Sequence, residues 1–184
     1  SCWCNSTNAW LTQNRPTCTN RPRSSCHVGR ASAGEIPLVR VLIDTNVLLD
    51  FLLQRELFFQ DAERLFQAID SGQIVGYVTA TTLTDIFYIA RRHTRSIEQA
   101  RQAVSETLTA MEICPVNREV LEVAFSSGLA DYEDGIQVAC AVAQGLDAIL
   151  TRDNQGFLNS SVPVLSVQEC LHRLQEPNNS KSTL

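Results

Sequence analysis

Val39-Arg40-Val41-Leu42-Ile43-Asp44-Thr45-Asn46-Val47-Leu48-Leu49-Asp50 decides the architecture, because an apolar run stops at a carboxylate and resumes with a different period. Val39, Val41, Leu42 and Ile43 predict a buried parallel strand, since β-branched residues suit a sheet covered on both faces. Asp44 then falls at the strand's carboxyl end, where open α/β sheets part into a crevice and keep their ligands. Turn chemistry offers a plainer reading, in which Thr45 and Asn46 cap the helix that follows.

Outward from this stretch, strands and helices alternate. Val47 to Leu53 and Phe58 to Ile69 have helical spacing, the second with Phe58, Ala62, Leu65, Phe66 and Ile69 on one side. Ile74 to Val78 reads as a second strand, and Thr79 to Thr82 as the cap region of a helix running to about Arg92. A helix over Ser96 to Ala110, a strand over Met111 to Cys114 and an Asn117-capped helix to about Ser126 follow. Asp131 to Gln144 predicts a mostly apolar helix with Gly145 as its C-cap. Ala148 to Leu150 and Val162 to Leu165 are further strands, and Val167 to Leu174 the last helix. Such alternation predicts a three-layer α/β/α sandwich around a central parallel sheet.

The 184 residues, 44% apolar, suffice for one well-filled domain. Residues 39–175 are assigned to it, residues 1–38 to a disordered or non-native tail, and residues 176–184 to a frayed end. The first 38 residues are polar, and their four arginines against Glu35 give +3, which leaves −8 for the rest out of −5 overall. An acidic body does not bind nucleic acid by charge alone; it suits carboxylates neutralised by metal. No apolar run reaches the ~20 residues of a spanning helix, and no signal-peptide core is present, so a cytoplasmic protein without membrane contact is expected. Cys2, Cys4, Cys18 and Cys26 lie in the tail without a CxxC pair, while Cys114, Cys140 and Cys170 read as small buried hydrophobes of a reducing compartment.

Acidic side chains recur where strands end or on helices that begin there: Asp44, Asp85, the pair Asp131 and Asp134, and Asp153. On adjacent strands these converge, and clustered carboxylates do not all ionise unless something positive lies between them. The sequence offers no organic cation for this, since His93 is the only histidine between residues 39 and 171 and Lys181 the only lysine. An all-oxygen set selects a hard cation, Mg²⁺ or Mn²⁺, and such ions promote in-line displacement at phosphorus. The expected chemistry is phosphodiester hydrolysis.

Leu42-Ile43-Asp44-Thr45-Asn46-Val47, Thr79-Ala80-Thr81-Thr82-Leu83-Thr84-Asp85, Asp131-Tyr132-Glu133-Asp134-Gly135-Ile136-Gln137-Val138-Ala139 and Ile149-Leu150-Thr151-Arg152-Asp153 together resemble the PIN domain, over about residues 39 to 175. At this compact size the chain is most similar to VapC-type toxins of toxin–antitoxin pairs. The resemblance implies a metal-dependent endoribonuclease in which Asp44, Asp85, Asp134 and Asp153 bind the metal or its waters, with Asp44, Asp134 and Asp153 as the ligand set. Asn46 and Thr151 would orient them, and Asp131 would add an acid. Asp85 stands where the family often has Glu, so its shorter reach implies contact through water. An RNA substrate, a cognate antitoxin and a homodimer through the helices after residues 47 and 58 are implied as partners.

Other residues are read more plainly. Asp50, Asp61, Asp70 and Asp147 are expected to be surface or turn carboxylates. Arg91, Arg92 and Arg95 fit either a helix end, where cations are favoured, or an RNA-contacting rim. Phosphatases with an aspartate nucleophile and P-loop enzymes need a lysine that the body lacks. The competing class is a catalytically silent PIN-fold module that docks a protein partner.

Overall fold

The computed structural model describes residues 39–175. Tail assignments for 1–38 and 176–184, and the four cysteines there, lie outside the described residues. Five strands, β1 (Val39–Ile43), β2 (Ile74–Thr79), β3 (Glu112–Cys114), β4 (Ala148–Leu150) and β5 (Val164–Leu165), form one sheet in the order β3-β2-β1-β4-β5. Every pairing is parallel, with Leu42 opposite Tyr77 on one side and Ile149 on the other. The helices are α1 (Thr45–Leu52), α2 (Phe59–Asp70), α3 (Ala80–Thr94), α4 (Ile97–Ala110), α5 (Arg118–Ser126), α6 (Tyr132–Gln144) and α7 (Val167–Gln175).

Alternation along β1 explains the layers. Leu42 faces one way, into a cluster with Ile136, Ala139 and Cys140 of α6 and Val120 and Ala124 of α5. Ile43 faces the other way, where Gly76 lies against Ile43, Ile69 of α2 and Met111 so closely that an added Cβ would stand 2.5 Å from the Met111 sulfur. Both faces of β1 are therefore covered, and Val41, Leu42 and Ile43 are fully buried, as the apolar run requires. The three-layer α/β/α sandwich is the observed fold.

Local signals set most helix ends. Thr79, Ser96, Asn117 and Asp131 occupy N-cap positions, each accepting a backbone N–H with its side chain, and Gly145 closes α6 at φ 60°. Two strand starts differ from expectation. The third strand begins at Glu112. The fifth shrinks to Val164–Leu165 because the Val162 amide is taken by Ser160 Oγ at 3.1 Å and Pro163 has no N–H, although its carbonyl still accepts from Ile149. The three described cysteines are buried free thiols. No helix among the described residues is long and apolar enough to cross a membrane.

Candidate active site

The strand order reverses beside β1: β2 and β3 lie to one side, β4 and β5 to the other. The chain leaves β1 into α1 and leaves β4 into the turns that lead to β5, opening a crevice at the carboxyl edge. Asp44 is the first residue past β1 and the N-cap of α1, yet its side chain makes no cap bond. Instead its Oδ2 accepts from Thr151 Oγ1 at 2.7 Å and, at short range, from Asn46 Nδ2, and its Oδ1 accepts from Gln137 Nε2 at 3.0 Å. Three donors hold this buried carboxylate in one orientation.

Asn46 and Thr151 thus do something other than cap. Asn46 also donates to Thr151 Oγ1 at 3.1 Å, and its Oδ1 accepts the Arg152 amide at 3.3 Å. Neither Thr45 nor Asn46 caps α1: the helix starts at Thr45, whose hydroxyl donates to Thr82 Oγ1 and Glu133 Oε1, each at 3.4 Å.

From α6, Asp131 spends its Oδ1 on the Glu133 amide at 2.7 Å. Asp134, half-buried, has its carboxyl pushed up to about 6, first by desolvation and then by the charges of Asp131, Asp44 and Asp153. Those four acids therefore share one electrostatic environment. Gly156 lies directly against Asp134, where a Cβ would collide with Oδ2. Asp153 is exposed; its amide donates to Thr151 Oγ1 and its Oδ1 accepts from Gln155 N, both at 3.0 Å.

Asp85 joins through a residue that sequence reasoning passed over. Glu133 is pushed up to about 7 by desolvation, then by a hydrogen bond and charge from Asp85, and further by Asp44 and Asp131. The influence of Asp85 on Glu133 couples α3 to α6. Gln137 was also missed, since one glutamine on an apolar helix gives no sequence signal; Glu133 at least lay in an acid-rich first turn. Among the described residues, no three His, Cys, Asp or Glu side chains stand close enough as they lie to enclose a metal ion.

Asp50 is no surface carboxylate. It is 2% exposed and paired with Arg55 Nη1 at 3.3 Å and Arg152 Nε at 2.9 Å. Burial outweighs both arginines and raises its pKa. Arg91, Arg92 and Arg95 are exposed at the C-terminal end of α3, and seven residues of helix put Arg92 about 10 Å along the axis from Asp85.

Fold and acids together define an α/β domain with a carboxylate-lined crevice at its strand switch. The family model described as "PIN domain" matches residues 40–155, more than half of the sequence, and the chain belongs to the PIN-domain family. No curated protein sequence matches it. Similar solved structures include VapBC2 from Rickettsia felis bound to a promoter DNA fragment (12% identity, TM-score 0.54, covering 70% of this chain and 98% of that one). VapBC-1 from nontypeable Haemophilus influenzae is similar too (14%, TM-score 0.55, 71% and 99%). So is the sarcin–ricin loop cleaving toxin VapC20 of Mycobacterium tuberculosis (15%, TM-score 0.55, 64% and 93%). At these identities the likeness is one of fold.

Proposed function

We propose that the protein is a divalent-metal-dependent endoribonuclease, the toxin of a type II toxin–antitoxin pair. The observation that carries this reading is the buried Asp44 at the end of β1, held by Thr151, Asn46 and Gln137 and sharing its surroundings with Asp134, Asp131 and Asp153. Acids that repel one another at a strand switch form a donor set suited to a hard cation. Asp44, Asp134 and Asp153 are the proposed ligands, with Asp85 contributing through Glu133. A Mg²⁺ or Mn²⁺ ion bound there would supply an activated water and stabilise charge on the oxygens of an in-line displacement at phosphorus.

The chain's own residues prepare that chemistry. Asn46, Thr151 and Gln137 donate to Asp44 and keep both its oxygens oriented. Gly156 leaves room for the Asp134 carboxylate where it stands, because a Cβ there would collide with Oδ2. Arg91, Arg92 and Arg95 are proposed to attract RNA at the outer end of α3 rather than to touch the reacting phosphate.

A cognate antitoxin is the proposed protein partner, in line with toxin–antitoxin complexes among the similar structures. A homodimer through the α1 and α2 region is proposed as well. Since the apolar residues of α1 are spent on the chain's own core, Leu57 in the turn between the helices is the exposed apolar contact available. Cytoplasmic location belongs to the same proposal. One observation favours the silent docking module: the acids do not already enclose an ion-sized point.

The deciding experiment compares RNA cleavage by the wild type with Asp44→Asn, in Mn²⁺ and in EDTA. Metal-dependent cleavage lost in the variant supports the nuclease; no cleavage by either protein in either buffer supports the silent module.

A further inference from the structure

Arg152 lies between Thr151 and Asp153, and its backbone amide donates to the same Asn46 that holds Asp44. Its guanidinium is fixed on two sides. Nε pairs with buried Asp50 at 2.9 Å, and the guanidinium carbon stands 4.2 Å from the Phe58 ring centroid. Asp50 also engages Arg55, so two arginines share one buried carboxylate. The Nη groups of Arg152 make no hydrogen bond or ion pair among the described residues, and its side chain is 32% exposed. Alongside lies a cavity of about 230 Å³ lined by Phe58, Thr151, Arg152, Ser166 and Gln168, and by Asp61, whose Oδ2 accepts from Gln168 Nε2 at 2.7 Å.

A guanidinium held by an ion pair and a ring face has already lost most of its freedom, and the N–H donors it has left match the oxygens of a phosphate. We propose that Arg152 and this cavity form a substrate subsite that takes an RNA phosphate next to the one cleaved, with the Arg152 Nη groups as donors. The identity of the ligand rests on the ribonuclease reading. Because Asn46 links the Arg152 amide to Asp44, the subsite and the acids keep a fixed spacing.

The test is the anisotropy of a short fluorescent single-stranded RNA, titrated with protein in EDTA and again in Ca²⁺, over a range of salt. Arg152→Gln should weaken binding about tenfold, the loss of a charge-assisted pair, and flatten the salt dependence by about 0.7, one single-strand phosphate contact. Arg152→Gln leaves Asp50 with one partner, so the double variant Asp50→Asn/Arg152→Gln removes both charges and should show the same loss with an intact melting transition. Arg152→Lys should fall between, keeping the charge without the fork. Folded variants that bind with wild-type affinity and salt slope overturn the subsite alone. A wild type that binds no RNA in either buffer overturns it together with the nuclease reading.

Discussion

Gln137 Nε2 donates to Asp44 Oδ1 at 3.0 Å, and both side chains are buried although 93 positions separate them. The other end of the same amide, Gln137 Oε1, is buried without a partner. A side chain retained with an orphaned carbonyl contributes little to stability, which points to its service to Asp44.

Gln137→Leu should therefore leave the melting temperature within a few degrees of wild type, since removing an unsatisfied carbonyl offsets the lost bond. Cleavage should drop about 10–100-fold, as for other residues that orient a metal ligand. Thermal denaturation beside initial cleavage rates would check both, and a large loss of stability with unchanged specific activity would reverse the assignment.

Asp134→Asn should stabilise the protein at neutral pH. With the Asp134 carboxyl at about 6 and that of Glu133 at about 7, folding favours the protonated forms. Their stability is fully present below about pH 4, where the unfolded chain's carboxyls are protonated too, and is lost as pH rises through 6 and 7. After allowance for solvent screening of a half-buried group, the gain in Asp134→Asn is about 1 kcal/mol, or about 2–4 °C in Tm. It should vanish in melts at pH 3.5 to 4.

Divalent metal should reverse that order. An ion that binds only the folded state stabilises it, by about 2.7 kcal/mol at a hundredfold excess over Kd, and so raises Tm. Mn²⁺ should stabilise the wild type at pH 7 and do far less for Asp44→Asn, Asp134→Asn or Asp153→Asn. Equal Tm shifts in all four proteins would remove these three residues from the ligand set.

Gly156→Ala should separate folding from activity. The new Cβ meets Asp134 Oδ2, a movable atom, so the chain folds with little penalty, but the carboxylate is pushed aside. Cleavage should fall by about 10-fold or more, the usual cost of misplacing a catalytic group, while circular dichroism and Tm stay near wild type. Retained activity would mean that Asp134 has another productive rotamer.

Where the sequence was readable, the cause was local. Thr79, Asn117 and Asp131 cap helices because a short oxygen reaches an amide two or three residues on, and Gly145 ends α6 because it takes a positive φ. Asp44 was legible because an apolar run ends on it. Asp50 was misread because its partners lie five and 102 residues away, at Arg55 and Arg152, and nothing in its own stretch announces them. Thr45 and Asn46 carry the letters of a cap, yet Glu133 of α6 and Thr151, just past β4, take their side chains instead. Glu133 escaped notice because only folding brings Asp85 to it.

The register that sets Leu42 between Tyr77 and Ile149 also fixes when the crevice comes into being. One wall arrives early in synthesis and the opposite wall more than a hundred residues later, once β4 docks beside β1. Until then Asp44 lacks Thr151, and no shorter intermediate assembles the acids. On the nuclease reading, a chain that stops short of β4 lacks both Thr151 and Asp153 and so lacks the assembled acids.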